Sequence, residues 1–261
     1  MATASFASNK ARAALRSPVE FTYRFDVAPD AAIKGDYRVL VHVVSDDGRL
    51  MWTDDHDPPV PTSQWKPGQK IEYTRTRFIP SYQYLGTATV RVGLYRGDDR
   101  LSLAGPDVAR REYKVGSIEI RPQSENILLI QKSGWHQVEF APNDPTSSWQ
   151  WMQKSAVLNF KNPHKDVVFY LESEGRPDLL GTPQTITIWS GTEKVSSFVV
   201  DTKLPVIHTM AITAAQLGTA EMAEIRIETD RTFVPAQLPS SADRDARELG
   251  LRIYHAYVEV K

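Results

Sequence analysis

Apolar and polar residues alternate with a period of two along most of this chain, and short clusters of turn residues interrupt the alternation. Val19-Glu20-Phe21-Thr22-Tyr23-Arg24-Phe25 alternates cleanly, and Tyr37 to Val44 follows. Asp46-Asp47-Gly48 then supplies a hairpin turn into Leu50-Met51-Trp52. Lys70 to Phe78 and Ala88 to Tyr95 continue the pattern, with Trp65-Lys66-Pro67-Gly68 and Gly97-Asp98-Asp99 as turns. A short strand over Tyr113 to Ile120, closed by Arg121-Pro122, completes the strands that one sandwich needs.

The second half repeats this style. Strands are predicted over Ile127 to Gln131, Ala156 to Phe160, Asp166 to Ser173, Gln184 to Ser190, Lys194 to Val200 and Ala223 to Thr229. In the closing strand, Leu251, Ile253, His255, Tyr257 and Glu259 alternate with Arg252, Tyr254, Ala256, Val258 and Val260. Thr213 to Leu217, stopped by Gly218, predicts a single helical turn. Strands at this spacing without long helices predict an all-β chain of two antiparallel β-sandwich domains in tandem, jelly-roll or immunoglobulin-like. The predicted division is a flexible N-terminal segment over 1–17, a first sandwich over 18–122 and a second over 123–261.

Composition narrows the function classes. The 261 residues are 41 % hydrophobic and 24 % charged, enough for two ordinary cores. With 31 basic and 32 acidic residues the formal net charge is −1, so no global field draws the chain to nucleic acid or anionic lipid. The absence of cysteine removes disulfides, thiolate chemistry and cysteine-ligated metals. No apolar run reaches the ~20 residues of a membrane span, and Met1 to Ser17 lacks the ~7–15-residue apolar run of a secretory signal. The location implied is extracytoplasmic if a signal or anchor has been removed, and cytoplasmic otherwise.

Two clusters stand out as candidate ligand sites. The first is Trp52-Thr53-Asp54-Asp55-His56-Asp57, with Trp65 after it. Its carboxylates Asp54, Asp55 and Asp57 can offer oxygen ligands to calcium, or hydrogen-bond sugar hydroxyls beside the indoles of Trp52 and Trp65. Alternatively they accept backbone N–H groups in a tight loop, which is all that their spacing requires. No cofactor is expected; calcium is the one candidate ion, although the spacing lacks the Asp-x-Asp-x-Asp-Gly of a calcium loop. The second cluster is Trp149-Gln150-Trp151, whose two indoles share one strand face and form either a platform for pyranose stacking or part of a core. In the tail, Asp243 and Arg247 are expected to pair and organise a loop rather than form a site.

Catalytic signatures are missing. No Gly-x-Ser-x-Gly, His-Glu-x-x-His, phosphate-binding loop or dinucleotide fingerprint occurs, and His42 and His255 fall inside strand patterns. A non-enzymatic chain is therefore expected. A glycosidase pair of carboxylates would be visible only in space, so a glycoside-active enzyme stands as a third reading.

Several segments carry a resemblance. Gly134-Trp135, Trp149-x-Trp151, Phe160-x-Asn162-Pro163, Arg176-Pro177-Asp178, Gln184 to Ile188, Thr232 to Ala236 and Asp243-x-x-x-Arg247-Glu248-Leu249-Gly250 resemble an accessory β-sandwich domain associated with bacterial glycosyltransferases and surface-polysaccharide systems. Its shape is similar to galactose-binding-like jelly rolls. The first half, through Tyr37 to His42, Asp54 to Pro59, Trp65-x-Pro67-Gly68 and Val92 to Tyr95, resembles a partner sandwich of the same proteins. The resemblance implies a non-catalytic bacterial envelope protein that contacts glycan. The lack of a convergent polar pocket in the sequence, with a flexible-looking Met1 to Ser17 that could order on a partner, gives the second reading: a structural subunit docked on a larger membrane-associated assembly.

Overall fold

The computed structural model describes residues 1–142, 144–238 and 243–261, with only the backbone described at 125 and 144–146. The chain folds as two units, Met1–Glu125 and Asn126–Lys261. Both are built from sheets whose strands pair antiparallel, as the alternation predicts, except for one short parallel pair in the first unit. Among the described residues no helix is long and apolar enough to cross a membrane.

The first unit contains β1 (Ala2–Ser8), β2 (Arg12–Ala14), β3 (Pro18–Val27), β4 (Arg38–Val44), β5 (Leu50–Thr53), β6 (Lys70–Phe78), β7 (Gly86–Arg96), β8 (Asp99–Leu101), β9 (Asp107–Ala109) and β10 (Glu112–Arg121). One sheet has the order β1-β3-β6. The other runs β2-β10-β7-β4-β5, with β8 on β7 and β9 on β10. Inward side chains of β3 (Phe21, Tyr23, Phe25) meet those of β4 and β7 (Val39, Val41, Val90, Val92) in one buried cluster. Each such side chain contributes about 1.5–3 kcal/mol by leaving water.

The N-terminal segment departs from expectation. Residues 1–17 are largely strand: β1 pairs with β3 from Ala2↔Val27 to Ser8↔Phe21, and β2 pairs in parallel with β10. Small residues kept this hidden, because Ala2, Ala4, Ala13 and Ala14 carry little strand preference of their own. Phe6 anchors β1, its ring centroid 5.1 Å from that of Phe21.

The second unit contains β11 (Ile130–Gln131), β12 (Trp135–Ala141), β13 (Asp144–Met152), β14 (Ser155–Lys161), β15 (Val167–Glu174), α1 (Pro177–Leu180), β16 (Gln184–Ser190), β17 (Glu193–Val200), β18 (Val206–Ile212), α2 (Ala214–Leu217), β19 (Met222–Thr229) and β20 (Arg252–Val260). Its two five-stranded sheets have the orders β11-β14-β19-β16-β17 and β12-β13-β20-β15-β18. Leu158, Phe160, Phe169, Ile186, Ile188, Ile225 and Ile227 fill the space between them. The expected single turn is α2, where the Thr213 hydroxyl accepts the Gln216 N–H and the Gln216 side chain returns to Thr213 N–H.

β20 does not keep one uninterrupted alternation. Its pairing with β15 skips Tyr254, since Glu172 faces His255 and Ser173 faces Ile253. The extra residue reverses the phase, so Leu251 and Ile253 are buried before it and Val258 after it. The bulge also re-aims Tyr254, whose hydroxyl donates to Glu174 Oε2 at 2.8 Å.

Candidate functional site

The acidic cluster of the first unit is divided by strand geometry. Residues 54–56 continue β5 along β4, with Asp54 N–H bonded to Val41 O and His56 N–H to Val39 O. Successive side chains of an extended segment point to opposite faces. Asp54 and His56 therefore turn inward and are buried, while Asp57 is exposed.

Inside, Asp54 accepts from Arg75 Nη2 at 3.1 Å, Arg77 Nε at 3.0 Å and Tyr23 Oη at 3.1 Å. His56 Nδ1 lies 2.6 Å from Asp54 O and Nε2 lies 2.7 Å from Tyr73 Oη. A carbonyl can only accept, so Nδ1 carries a proton; when the ring is neutral, Nε2 accepts from the Tyr73 hydroxyl. Outside, Asp55 Oδ1 accepts Val41 N–H at 2.9 Å and Asp57 pairs with Arg38 at 3.2 Å. The three carboxylates thus serve separate protein partners. Among the described residues, no three His, Asp or Glu side chains converge as a metal site.

Trp65 is a core residue at 5 % exposure, its ring against Phe25 and its Nε1 donating to Val60 O. Trp52 is half-buried against the same core. Trp65 therefore offers no solvent-facing ring to a sugar.

Burial lowers the His56 pKa, opposing Arg75 and Arg77 lower it further, and the Asp54 contacts only partly restore it. In the second unit, burial likewise lowers His208, stacked on Phe198 at 3.8 Å. Below the ordinary value of 6.5 the unfolded chain takes up protons that these folded histidines refuse, so stability falls as pH drops from there. A melting series from pH 7.5 to 5 is expected to decline, with a slope no steeper than ~1.4 kcal/mol per unit for each histidine. His56→Gln should flatten it; an identical slope would remove His56 as a cause.

The second unit brings the other cluster together with residues from distant segments. Trp151 on β13 faces Arg252 on β20, and Arg252 faces Glu174 on β15, in one cross-strand row. Glu139 on β12 faces Trp149 and accepts its Nε1–H at 3.0 Å. The Arg252 guanidinium lies 4.7 Å from each indole, and its Nη1 donates to Glu174 Oε1 at 2.7 Å. The paired tryptophan platform is consequently occupied from within the protein. Trp151, 3 % exposed, also makes an edge-to-face contact with Phe233, and the two form a satellite core with Leu249.

Above this row residues 233–238 and 243–249, with α1, line a pocket of about 350 Å³. Its walls are apolar at Leu179, Phe233, Pro235 and Leu238, and polar at Glu139, Arg176, Asp243, Asp245, Arg247 and Arg252. Every arginine is clamped. Arg176 forms a fork on Asp178 at 2.9 and 3.0 Å, Arg247 holds Asp245 at 2.6 Å and Glu139 at 2.8 Å, and Arg252 holds Glu174. The partner that Arg247 grips is thus Asp245, while Asp243 accepts the Asp245 N–H at 2.9 Å. These tail residues organise the loop as expected, and in doing so wall the pocket. The Arg247 fork lowers the Asp245 pKa below its ordinary 3.8, and Arg176 does the same to Asp178.

Trp149 and Trp151 are the two sequence candidates found at this site. Glu139, Glu174, Arg176, Phe233 and Arg252 were missed as parts of it. The readable signal was Arg252 and Tyr254, two long polar side chains in a strand that otherwise closes a core.

Fold and site define this chain as a tandem β-sandwich protein with an arginine–carboxylate pocket in its second unit. No protein-family model and no curated protein matches it. Among solved structures it is similar to the carbohydrate-binding module CBM6cm-2 of Cellvibrio mixtus lichenase 5A in complex with cellotriose, at 11 % identity and a TM-score of 0.30, over 52 % of this chain and 98 % of that one. It is also similar to the tandem CBM22 domain of Paenibacillus barcinonensis Xyn10C, at 8 % identity and a TM-score of 0.32, over 95 % and 80 %. A third is the Bacteroides ovatus mixed-linkage glucan utilization locus protein SGBP-B with a mixed-linkage heptasaccharide, at 12 % identity and a TM-score of 0.30, over 98 % of this chain and 53 % of that one. All three superpose loosely on this chain.

Proposed function

We propose that this chain is a non-catalytic binding protein whose second unit takes an uncharged, hydroxyl-rich ligand, an oligosaccharide or the end of a glycan chain, in the pocket above Trp151 and Arg252. The observation that carries this reading is the clamping of three arginines around one small cavity. Each guanidinium has five N–H donors and spends part of them on a carboxylate, leaving directed donors beside carboxylate acceptors. Hydroxyl groups, which donate and accept at once, complement such a lining. A charged ligand does not: Arg176, Arg247 and Arg252 are each held by carboxylates, and Glu139, Glu174, Asp178, Asp243 and Asp245 outnumber them, so an anion meets like charge and a cation meets the guanidinium groups that already occupy those carboxylates.

The volume supports recognition of a short ligand, since it lies near the small end of the ~300–1,000 Å³ typical of ligand pockets. Arg247 holds the Asp245 carboxyl below its ordinary value, the wrong direction for a general acid at neutral pH. The bacterial-envelope setting rests on the resemblance of the sequence motifs to surface-polysaccharide accessory domains.

Titration with a panel of neutral oligosaccharides, followed by tryptophan fluorescence and calorimetry, tests the reading. At least one is expected to bind and to change the emission of Trp149 and Trp151. Arg252→Lys keeps the charge but loses the planar fork, and is expected to weaken binding about tenfold or more. Binding that Arg252→Lys leaves untouched would exclude this pocket.

A further inference from the structure

The outer face of the large sheet in the first unit carries a second, independent construction. β9 and β10 are joined by the two-residue loop Arg110-Arg111, with Ala109 paired to Glu112. Both arginines have positive φ, 42° and 61°. A tight hairpin requires this mirror-image turn, and Asn-Gly adopts it with least strain, whereas a residue with a long side chain meets steric repulsion. The turn is also bent onto the sheet. A Cβ on Gly93 of β7 would come within 2.8 Å of Arg111 O, so glycine there is what lets the tip lie down.

Beneath the tip lies a cationic surface. Glu112 is buried, and its carboxylate has His42 Nδ1 at 3.2 Å, Arg100 Nη1 at 3.1 Å and Arg91 Nη1 at 3.8 Å. Strand register sets His42, Arg91 and Lys114 in one row across the sheet. Arg110 and Lys114 are exposed beside them. Two carboxylates, Glu112 and Asp107, the second accepting Arg111 N–H at 2.9 Å, therefore stand among Arg91, Arg100, Arg110, Arg111 and Lys114, more cations than they can neutralise, in a chain whose net charge is −1. The two arginines at the tip add charge in a turn where asparagine and glycine carry less strain, and Arg111 Nη1 also donates to Arg100 O.

We propose that the Arg110-Arg111 hairpin and the row behind it bind an acidic polysaccharide through carboxylate or sulfate groups along its chain. Guanidinium forks match both groups in pairs of hydrogen bonds. A single-stranded nucleic acid would need aromatic faces for its bases. Tyr95, which lies on this face, is already covered by the Arg38 guanidinium 5.8 Å from its ring.

The full chain should be titrated with labelled heparin, labelled polygalacturonate and a single-stranded DNA oligonucleotide, at low and moderate salt. One or both polysaccharides are expected to bind, more weakly as salt rises. Preference for heparin assigns sulfate, and preference for polygalacturonate assigns uronate. The double variant R110N/R111G gives the turn its favoured pair, so its melting temperature should equal or exceed the parent's while affinity falls about tenfold or more. R91Q/K114Q should weaken binding without touching the turn. The proposal is overturned if neither polysaccharide binds, if R110N/R111G binds as well as the parent, or if the DNA binds as tightly as the better polysaccharide. None of these outcomes bears on the pocket of the second unit, whose test uses neutral ligands.

Discussion

Asp54→Ala is expected to destabilise the first unit by about 3 kcal/mol. The carboxylate is buried and is shared by Arg75, Arg77 and Tyr23, so its removal leaves two guanidinium groups facing each other and a buried phenol without its acceptor. The lower part of the range for breaking a buried ion pair is appropriate, because the Arg75 and Arg77 side chains remain 30 % and 41 % exposed and keep part of their hydration. Asp54→Asn should recover part of the loss by still accepting from Tyr23. Thermal and urea unfolding measure both variants. A change below about 1 kcal/mol for Asp54→Ala would mean that water replaces the carboxylate, and would return this cluster to consideration as a ligand site.

The second large effect is expected at Gln184, whose side chain ties together the three segments beneath the pocket. It is fully buried. Its Nε2 donates to Arg231 O at 3.1 Å, Gly250 O at 3.0 Å and Thr229 Oγ1 at 3.3 Å, and its Oε1 accepts Arg176 N–H at 3.0 Å. Gln184→Leu keeps most of the volume and removes every one of these bonds. The cost should be about 3 kcal/mol, since Gly250 O and Arg176 N–H lose this partner, while Arg231 O still accepts from Thr229 Oγ1. Hydrogen exchange should rise in 176–180, 231–238 and 243–251, and binding in the pocket should weaken with it. Unchanged protection in those segments would show that they are held by other contacts.

The fold was legible where side chains repeat strictly. Lys70–Phe78 and Gln184–Ser190 were delimited to the residue, because β-branched and aromatic positions alternate there between two turn signals. The N-terminal strands were not legible, since alanine and serine announce no face until a partner strand exists. β18, over Val206–Ile212, was likewise passed over. Of the pocket, only Trp149 and Trp151 could be read. Its other parts come from β12, β15, α1, β20 and the segment before β20, and what joins them is a guanidinium held between two indoles. Local spacing cannot encode such a contact. The acidic run 54–57 misled for the opposite reason: adjacency in sequence suggested convergence, and an extended backbone sends alternate side chains to opposite sides.

The parallel pairing of β2 with β10 has a consequence for the order in which the first unit can be made. Arg12–Ala14 find their partner only at Glu119–Arg121, and Leu15 N–H waits for Arg121 O. During synthesis the N-terminal strands leave the ribosome first, yet this edge of the large sheet cannot close until the last strand of the unit has emerged. β1 and β3 can pair early as a hairpin-like ribbon. The second sheet must then remain open at this edge through most of the unit's translation, and its final step is the capture of a segment made well before β10.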